Sequence, residues 1–193
     1  METAGTQTPA EAVTYLLVDG ENIDATLGAS VLGRRPSPDE RPRWDRVREF
    51  SQQVWDQPVK ALFFLNASSG QMPMPFVQAL LALDYRPIPL AGGSQEKVVD
   101  IGIQRTLEAI EQRHGDVLLA SHDGDFLPQV TRLAGQGRRV GILGFREFVN
   151  AGFAEAGPGV QIFDLEDDVD CFTGVLPRVR IIPIDSFDPA RFL

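Results

Sequence analysis

The chain has 193 residues, of which 43% are hydrophobic and 23% are charged, as is typical of one compact globular domain with a short accessory piece. A single cysteine, Cys171, excludes an intrachain disulfide, and with only two histidines a Cys/His zinc site is excluded as well. The net charge of −9 disfavours a protein that stays bound to nucleic acid, because affinity for phosphates comes mainly from Lys and Arg.

Targeting signals are not evident in the sequence. The N-terminus lacks the basic start and apolar run of a secretory signal, and no stretch reaches the roughly 20 apolar residues that a membrane helix needs. We therefore expect a soluble cytoplasmic protein without a membrane partner. We divide it into a flexible N-terminus (1–12), one domain (13–173) and a C-terminal extension (174–193).

Apolar runs alternate with helical patterns along most of the chain. The predicted strands span residues 14–18, 59–65, 86–90, 116–120, 139–143 and 160–163, and the predicted helices span 42–55, 76–84, 97–113 and 126–135. Several strands are almost continuously apolar, which is typical of strands buried on both faces of a parallel sheet. The alternation predicts an α/β fold, a Rossmann-like three-layer α/β/α arrangement around a mostly parallel sheet.

Three regions depart from this alternation. Residues 28–43 are rich in Gly, Pro, Ser and Arg, and are predicted to form a long loop. The acidic run 164–170 is predicted to be the solvated start of a helix rather than a second metal site. The tail after residue 174 is predicted to add an edge strand.

Acidic residues occur where two predicted strands end. Asp19 follows the first strand, Asp123 and Asp125 follow the fourth, and Asp100 lies early in the helix after the third. Open α/β sheets bind ligands beyond the carboxyl ends of their strands, at the point where strand order reverses. If the first and fourth strands are neighbours, these carboxylates converge there.

Clustered carboxylates repel one another, and a cation relieves the repulsion. Oxygen ligands without His or Cys suit Mg²⁺ or Mn²⁺ better than zinc, and such ions support phosphodiester hydrolysis. Each aspartate also has a purely structural interpretation. Asp19 and Asp123 each precede Gly, as in ordinary turns, Asp125 suits a helix N-cap, and Asp100 suits a solvated helix face. Their common place at one sheet edge favours the metal site.

Three segments, taken together, resemble the signatures of NYN domains, which are PIN-like nucleases with a Rossmann-like sheet. The segments are LVDGENI (17–23), KVVD (97–100) and SHDGDF (121–126), and the resemblance covers about residues 14–163. It implies that Asp19, Asp100, Asp123 and Asp125 bind Mg²⁺ or Mn²⁺ and catalyse hydrolysis of RNA. It also matches Asn22 to the family's polar position beside the first aspartate, and Ser121 to its small hydroxyl residue.

The sequence departs from the family pattern at two positions. His122 stands where Gly is commoner, and Val98 also replaces a common Gly. His122 could contact a substrate phosphate, but we expect it to be a solvent-exposed loop residue.

Candidate RNA contacts outside the acidic positions are basic. The loop and the helix after it carry six arginines, including Arg34 and Arg35, and Lys97 begins the second family segment. These arginines either flank the crevice and hold phosphates or pair with the acidic residues among them. Aromatic platforms for stacking single-stranded bases are not evident, because most phenylalanines lie in core-like runs.

Two rival functions remain at this stage. The first is a PIN-like module with weak or absent activity that acts in RNA binding or protein regulation. The second is a phosphatase that uses Asp19 as a nucleophile, which Glu21 disfavours because such enzymes carry a second Asp at that position. The sequence also leaves open whether the chain acts alone or as a homodimer.

Overall fold

The strands form a single parallel sheet in this computed structural model, which describes residues 12–179 and 182–193. The predicted flexible N-terminus lies outside the described residues, apart from Ala12. The strands are β1 (Thr14–Asp19), β2 (Val59–Asn66), β3 (Tyr85–Leu90), β4 (Asp116–Ala120), β5 (Val140–Gly144) and β6 (Val160–Asp164). Their order is β3-β2-β1-β4-β5-β6, so the chain winds outward in both directions from the boundary between β1 and β4.

The α-helices of the described chain are α1 (Gly20–Thr26), α2 (Trp44–Gln53), α3 (Met74–Ala82), α4 (Val98–Glu111), α5 (Leu127–Gly135) and α6 (Gly152–Glu155). The four predicted helices correspond to α2 to α5, with ends that agree to within two residues. Helix α2 buries Trp44, Val47 and Ser51, whereas Phe50 is half-buried. Ser51 tolerates this burial because its hydroxyl donates to the Val47 carbonyl at 2.7 Å.

Helices cover the sheet on both sides, which confirms the three-layer α/β/α architecture. In β1, Leu16 and Val18 pack with α1, α2 and α3, whereas Leu17 packs on the opposite face with α4 and α5. Alternate residues of a strand point to opposite faces, so a strand covered on both sides must be apolar throughout. This arrangement explains the continuous apolar runs in the sequence.

The prediction of one long loop over residues 28–43 is wrong. Helix α1 continues into a π-helical segment, Leu27–Leu32, in which Leu27 and Val31 are buried. Gly28 is needed within it because a Cβ there would lie 3.1 Å from the carbonyl oxygen of Arg34. A short 3-10 helix, Pro38–Glu40, interrupts the remaining loop. Burial of the apolar residues outweighs the low helix propensity of glycine.

The predictions for the acidic run and for the tail are also wrong. Asp164 ends β6 in a buried position, and its carboxylate accepts the backbone N–H groups of Arg146, Glu166 and Asp167, so the run forms a turn instead of a helix. Among residues 174–179 and 182–193 no strand is found. This part of the chain contains two 3-10 helices, Ile184–Ser186 and Pro189–Phe192.

Residues 165–176 pack back onto the face of the sheet that carries α2. The buried side chains of this segment are Leu165, Val169, Cys171, Phe172 and Leu176. Arg46 on α2 fixes the segment, because its guanidinium donates to the carbonyls of Asp170 and Phe172, each at 2.9 Å. The hydrophobic core therefore continues beyond the last strand.

Candidate metal centre

The boundary between β1 and β4 brings the predicted acidic residues to one edge of the sheet. The two strands pair in parallel with Val18 opposite Ala120, so the next residues, Asp19 and Ser121, emerge side by side. Strand order reverses at this boundary, which is where open α/β sheets form their ligand crevice. The structure thus confirms that the first and fourth strands are neighbours.

Asp19 lies at the bottom of the crevice and is only 3% exposed. One carboxylate oxygen accepts the backbone N–H of Asn22 at 3.2 Å, and the other accepts the Ser121 hydroxyl at 3.1 Å. Burial raises the pKa of Asp19 to about 6, and the negative charges of Asp100 and Glu21 add to the effect of burial. The fold therefore holds this carboxylate where its charged form is costly.

Asp100, Asp123 and Asp125 form a group that we call the acidic cluster. Each offers a carboxylate oxygen, and these oxygens all lie within 4.8 Å of one another. Asp100 comes from the first turn of α4, and the other two come from the turn after β4. Asp19 is not a member of this group in the described structure, although it is close enough to Asp100 for their charges to interact.

The turn after β4 is stabilised by the same residues that supply the carboxylates. Asp123 accepts the backbone N–H of Asp125 at 2.9 Å, and the Ser121 hydroxyl lies 3.2 Å from the backbone nitrogen of Asp123. Asp123 is thus the N-cap of the 3-10 helix Gly124–Phe126. The structural and the metal-binding interpretations of Asp123 are compatible, because the cap occupies only one of its oxygens.

Lys97 places a positive charge between two members of the acidic cluster. Its ammonium nitrogen lies 3.4 Å from Asp100 and 3.3 Å from Asp125. Burial raises the pKa of Asp100, Lys97 opposes the rise, and repulsion from Asp123 and Asp125 adds to it. Lys97 is 69% exposed, so this ammonium can leave the cluster at little cost.

His122 is buried, not solvent-exposed as predicted. It is 7% exposed, and its ring stacks on Phe145 with centroids 5.7 Å apart. Its Nε2 accepts the backbone N–H of Phe145 at 2.8 Å, so the ring proton is on Nδ1, which donates to the Asn22 side-chain oxygen at 2.9 Å. Burial lowers the pKa of His122 to about 4. Both ring nitrogens are used, which leaves none for a phosphate or a metal.

Asn22 lies in α1, on the β1 side of the crevice, and its side chain bonds to His122 in the turn after β4. It therefore joins the two sides of the crevice. Its side-chain oxygen accepts two hydrogen bonds from His122, one from the backbone N–H and one from the ring. Sequence reasoning placed Asn22 beside the first aspartate, but it assigned no partner to it. The signal available in the sequence was His122 itself, because it stands where the family more often carries Gly.

The arginines of the loop and of α2 are mostly engaged with carboxylates. The ion pairs are Arg34 with Glu40, Arg41 with Asp24, Arg43 with Asp45, Arg46 with Asp170 and Arg48 with Asp84. Arg34 holds both oxygens of Glu40, at 2.7 and 2.6 Å. Arg35 is exposed, and the described residues provide no ion pair for its side chain. The local acidic residues thus neutralise most of this basic segment.

The described chain contains no helix that combines the length and the apolar composition needed to cross a membrane.

Comparison with known proteins places this site in a family. The NYN domain model matches residues 13–157, which include Asp19, Asp100, Asp123 and Asp125. No curated protein is significantly similar in sequence. A crystal structure of a protein of unknown function from Vibrio parahaemolyticus RIMD 2210633 is similar, with a TM-score of 0.66 and 18% identity over 84% of this chain and 98% of that chain. At such low identity this likeness shows the fold alone.

Proposed function

The chain belongs to the NYN domain family of PIN-like nucleases, and from this premise we propose that it is a metal-dependent ribonuclease. In this proposal Asp19, Asp100, Asp123 and Asp125 hold Mg²⁺ or Mn²⁺, and water hydrolyses a phosphodiester bond of RNA. The observation that carries the proposal is the convergence of three carboxylate oxygens within 4.8 Å beside Asp19, at the reversal point of the sheet.

The residues present fit a hard divalent cation. The donors are carboxylates, and the one histidine near them, His122, has both ring nitrogens engaged elsewhere. Burial raises the pKa values of Asp19 and Asp100, and repulsion from neighbouring carboxylates adds to the rise. Lys97 supplies only one positive charge, and it does so from an exposed position. A divalent ion would relieve this repulsion more fully.

When bound, such an ion supplies a water of lowered pKa and positive charge beside the phosphate. The chain's own residues position the reacting groups. Ser121 and the backbone of Asn22 fix the two oxygens of Asp19, and Asp123 and Asp125 are fixed by the turn that they share. Lys97 is exposed and beside the carboxylates, so its ammonium group would be within the site to contact a phosphate oxygen of the substrate.

Substrate contacts outside the metal centre are proposed at Lys97, Arg35, Asn22 and Ser121. Arg34 is a weaker candidate, because Glu40 occupies its guanidinium with two hydrogen bonds. The net charge of −9 counts against an extended RNA-binding surface, but it does not exclude an enzyme that engages RNA briefly through bound metal.

Cleavage of labelled RNA with Mg²⁺ or Mn²⁺ tests the proposal. We expect Asp100→Asn to lower the cleavage rate by about 100-fold or more. A matched variant, Asp185→Asn, changes an exposed aspartate of the C-terminal 3-10 helix and should retain the full rate. If the wild type and Asp100→Asn cleave equally, the activity belongs to a contaminant and the proposal fails. RNA binding without any cleavage would instead support the rival binding module.

A further inference from the structure

A cleft of about 320 Å³ opens on the α2 side of the sheet, and Trp44 of that helix is part of its lining. Its lining includes the aromatic rings of Trp44, Phe63 and Phe76, and we call it the aromatic cleft. The cleft begins at Gly20 and Glu21, the two residues that follow Asp19 in the chain. Asp19 itself does not line the cleft, but its two neighbours in the chain do.

The aromatic cleft has rigid apolar walls. Phe63 packs edge-on against Trp44 with ring centroids 5.0 Å apart, and edge-on against Phe76 at 5.3 Å. Gly20 allows this packing, because a Cβ at that position would lie 2.5 Å from the Phe63 ring. Phe63 and Trp44 are only 2% and 9% exposed, so the half-buried ring of Phe76 is the one that can contact another planar ring.

Acidic groups line the rim of the aromatic cleft. Asp24 is neutralised by Arg41, whose Nε lies 2.7 Å from its carboxylate. Glu21 is exposed, and no hydrogen bond or ion pair to its carboxylate is found among the described residues. Glu21 thus leaves at the rim a solvent-exposed carboxylate that can accept hydrogen bonds from a ligand that presents donors.

We infer that the aromatic cleft receives the nucleobase of a nucleotide next to the scissile phosphate, and that Glu21 accepts hydrogen bonds from the edge of that base. The inference rests on the proposed function, because it takes the phosphate to lie at the acidic cluster. The cleft volume lies at the small end of the range for ligand pockets, which suits one ring system rather than a peptide or a lipid chain.

The chemistry of the rim selects guanine among the four bases. A carboxylate presents two acceptor oxygens side by side, and guanine presents two donors, N1–H and N2–H, with the matching spacing on its Watson–Crick edge. Adenine and cytosine each offer one exocyclic amino group there, and uracil offers one ring N–H. Unstacked bases are commonly held in this way, between aromatic rings and a polar edge contact.

Tryptophan fluorescence tests the inference without any need for cleavage. The chain has two tryptophans, Trp44 in the cleft and Trp55 outside it, so a Trp55→Phe protein reports on the cleft alone. The titrants are the 5′-monophosphates of guanosine, adenosine, cytidine and uridine, which have no phosphodiester bond to cleave, added with Mg²⁺ and with excitation at the red edge of the indole band. Methyl NMR shifts of Ile23 and Leu65, which also line the cleft, provide a second measurement.

We expect a saturable change that is strongest with guanosine monophosphate and is roughly tenfold or more weaker in Glu21→Gln. Glu155→Gln is the matched control, since Glu155 is an exposed glutamate of α6 on the other face of the sheet. The inference is overturned if neither measurement responds to any nucleotide, or if Glu21→Gln binds all four as the wild type does.

The two proposals fail separately. Nucleotide binding in the cleft without RNA cleavage would remove the ribonuclease proposal and leave a base-binding site. Metal-dependent cleavage that is lost in Asp100→Asn, combined with no response in the cleft, would leave the nuclease and remove the base pocket.

Discussion

The side-chain oxygen of Asn22 accepts both the backbone N–H and the ring Nδ1–H of His122, each at 2.9 Å. This pair joins the first turn after β1 to the turn after β4, the two segments that carry Asp19 and Asp123. The spacing between the two sides of the crevice therefore depends on one amide and one buried imidazole.

Removal of the Asn22 side chain should loosen the crevice. In Asn22→Ala two donors of His122 lose their acceptor in a mostly buried position, so we expect the free energy of unfolding to fall by about 1–3 kcal/mol. Urea denaturation measures this loss. Asn22→Asp keeps an acceptor at the same place and should lose less stability than Asn22→Ala. An Asn22→Ala protein as stable as the wild type would show that the pair does not tie the two sides together.

His122 should make stability depend on pH in a defined window. The pKa of His122 is lowered from its ordinary 6.5 to about 4, so between these values the unfolded chain binds more protons than the folded one. The contribution of neutral His122 is therefore complete above pH 6.5 and is lost as the pH falls toward 4. Its upper limit is about 3 kcal/mol.

The raised pKa of Asp19 makes stability fall as the pH rises over part of the same range, which is opposite to the effect of His122. The measurement must therefore cancel the contribution of Asp19. The difference in unfolding free energy between the wild type and His122→Gln does so, because both proteins keep Asp19. We expect this difference to shrink between pH 6.5 and 4. A constant difference, or an imidazole that NMR shows to be protonated at pH 6, would contradict the assignment of a buried neutral ring.

Much of this arrangement could be predicted from local sequence patterns. Continuous apolar runs indicate strands that are covered on both faces, and an aspartate that follows such a run must lie at the carboxyl edge of a parallel sheet. Asp19 and Asp123 were placed correctly for that reason. The neighbouring positions of β1 and β4 were a condition of that argument, and only the observed strand order establishes them.

Other features depend on contacts between distant residues, and no local pattern contains them. His122 is buried because the backbone N–H of Phe145, at the far end of β5, meets its ring, and 23 residues separate the two. The sequence left open whether the loop arginines hold phosphates or pair with nearby acidic residues, and Asp24 was not among those residues because it lies 17 residues from its partner Arg41. The Phe63 ring looks like ordinary core, although it also lines a cleft beside the candidate metal centre.

Metal binding should be detectable by thermal stability alone. We expect Mn²⁺ or Mg²⁺ to raise the Tm of the wild type, because an ion that binds only the folded state stabilises it. Asp100→Asn should lose this response, whereas Asp185→Asn should keep it. Without metal, Asp100→Asn should be at least as stable as the wild type, because the fold raises the pKa of Asp100 and so disfavours its charged form.

Asp123→Ala should behave differently from Asp100→Asn in the absence of metal. Asp123 caps the backbone N–H of Asp125, so loss of its side chain lowers the free energy of unfolding by about 1 kcal/mol. The same substitution also relieves charge repulsion, which acts in the opposite direction. A metal-independent Tm in the wild type, or an equal metal response in Asp100→Asn, would remove the acidic cluster as the binding site.

Cys171 provides a probe for the docking of residues 165–176 onto the core. It is the only cysteine of the chain, its side chain is fully buried, and burial raises the pKa of its thiol. A thiol reagent such as DTNB should therefore react slowly with the native protein and rapidly after denaturation. Because Arg46 donates to the carbonyls of Asp170 and Phe172, Arg46→Gln should raise the native labelling rate by about tenfold.

Arg105→Gln is the control for this labelling experiment, since Arg105 is an exposed arginine on α4, across the sheet. Its labelling rate should equal that of the wild type. If Arg46→Gln also labels at the wild-type rate, apolar burial alone holds the segment and the two hydrogen bonds are dispensable. Rapid labelling of the native wild type would mean that residues 165–176 detach readily, and the core would then end with β6.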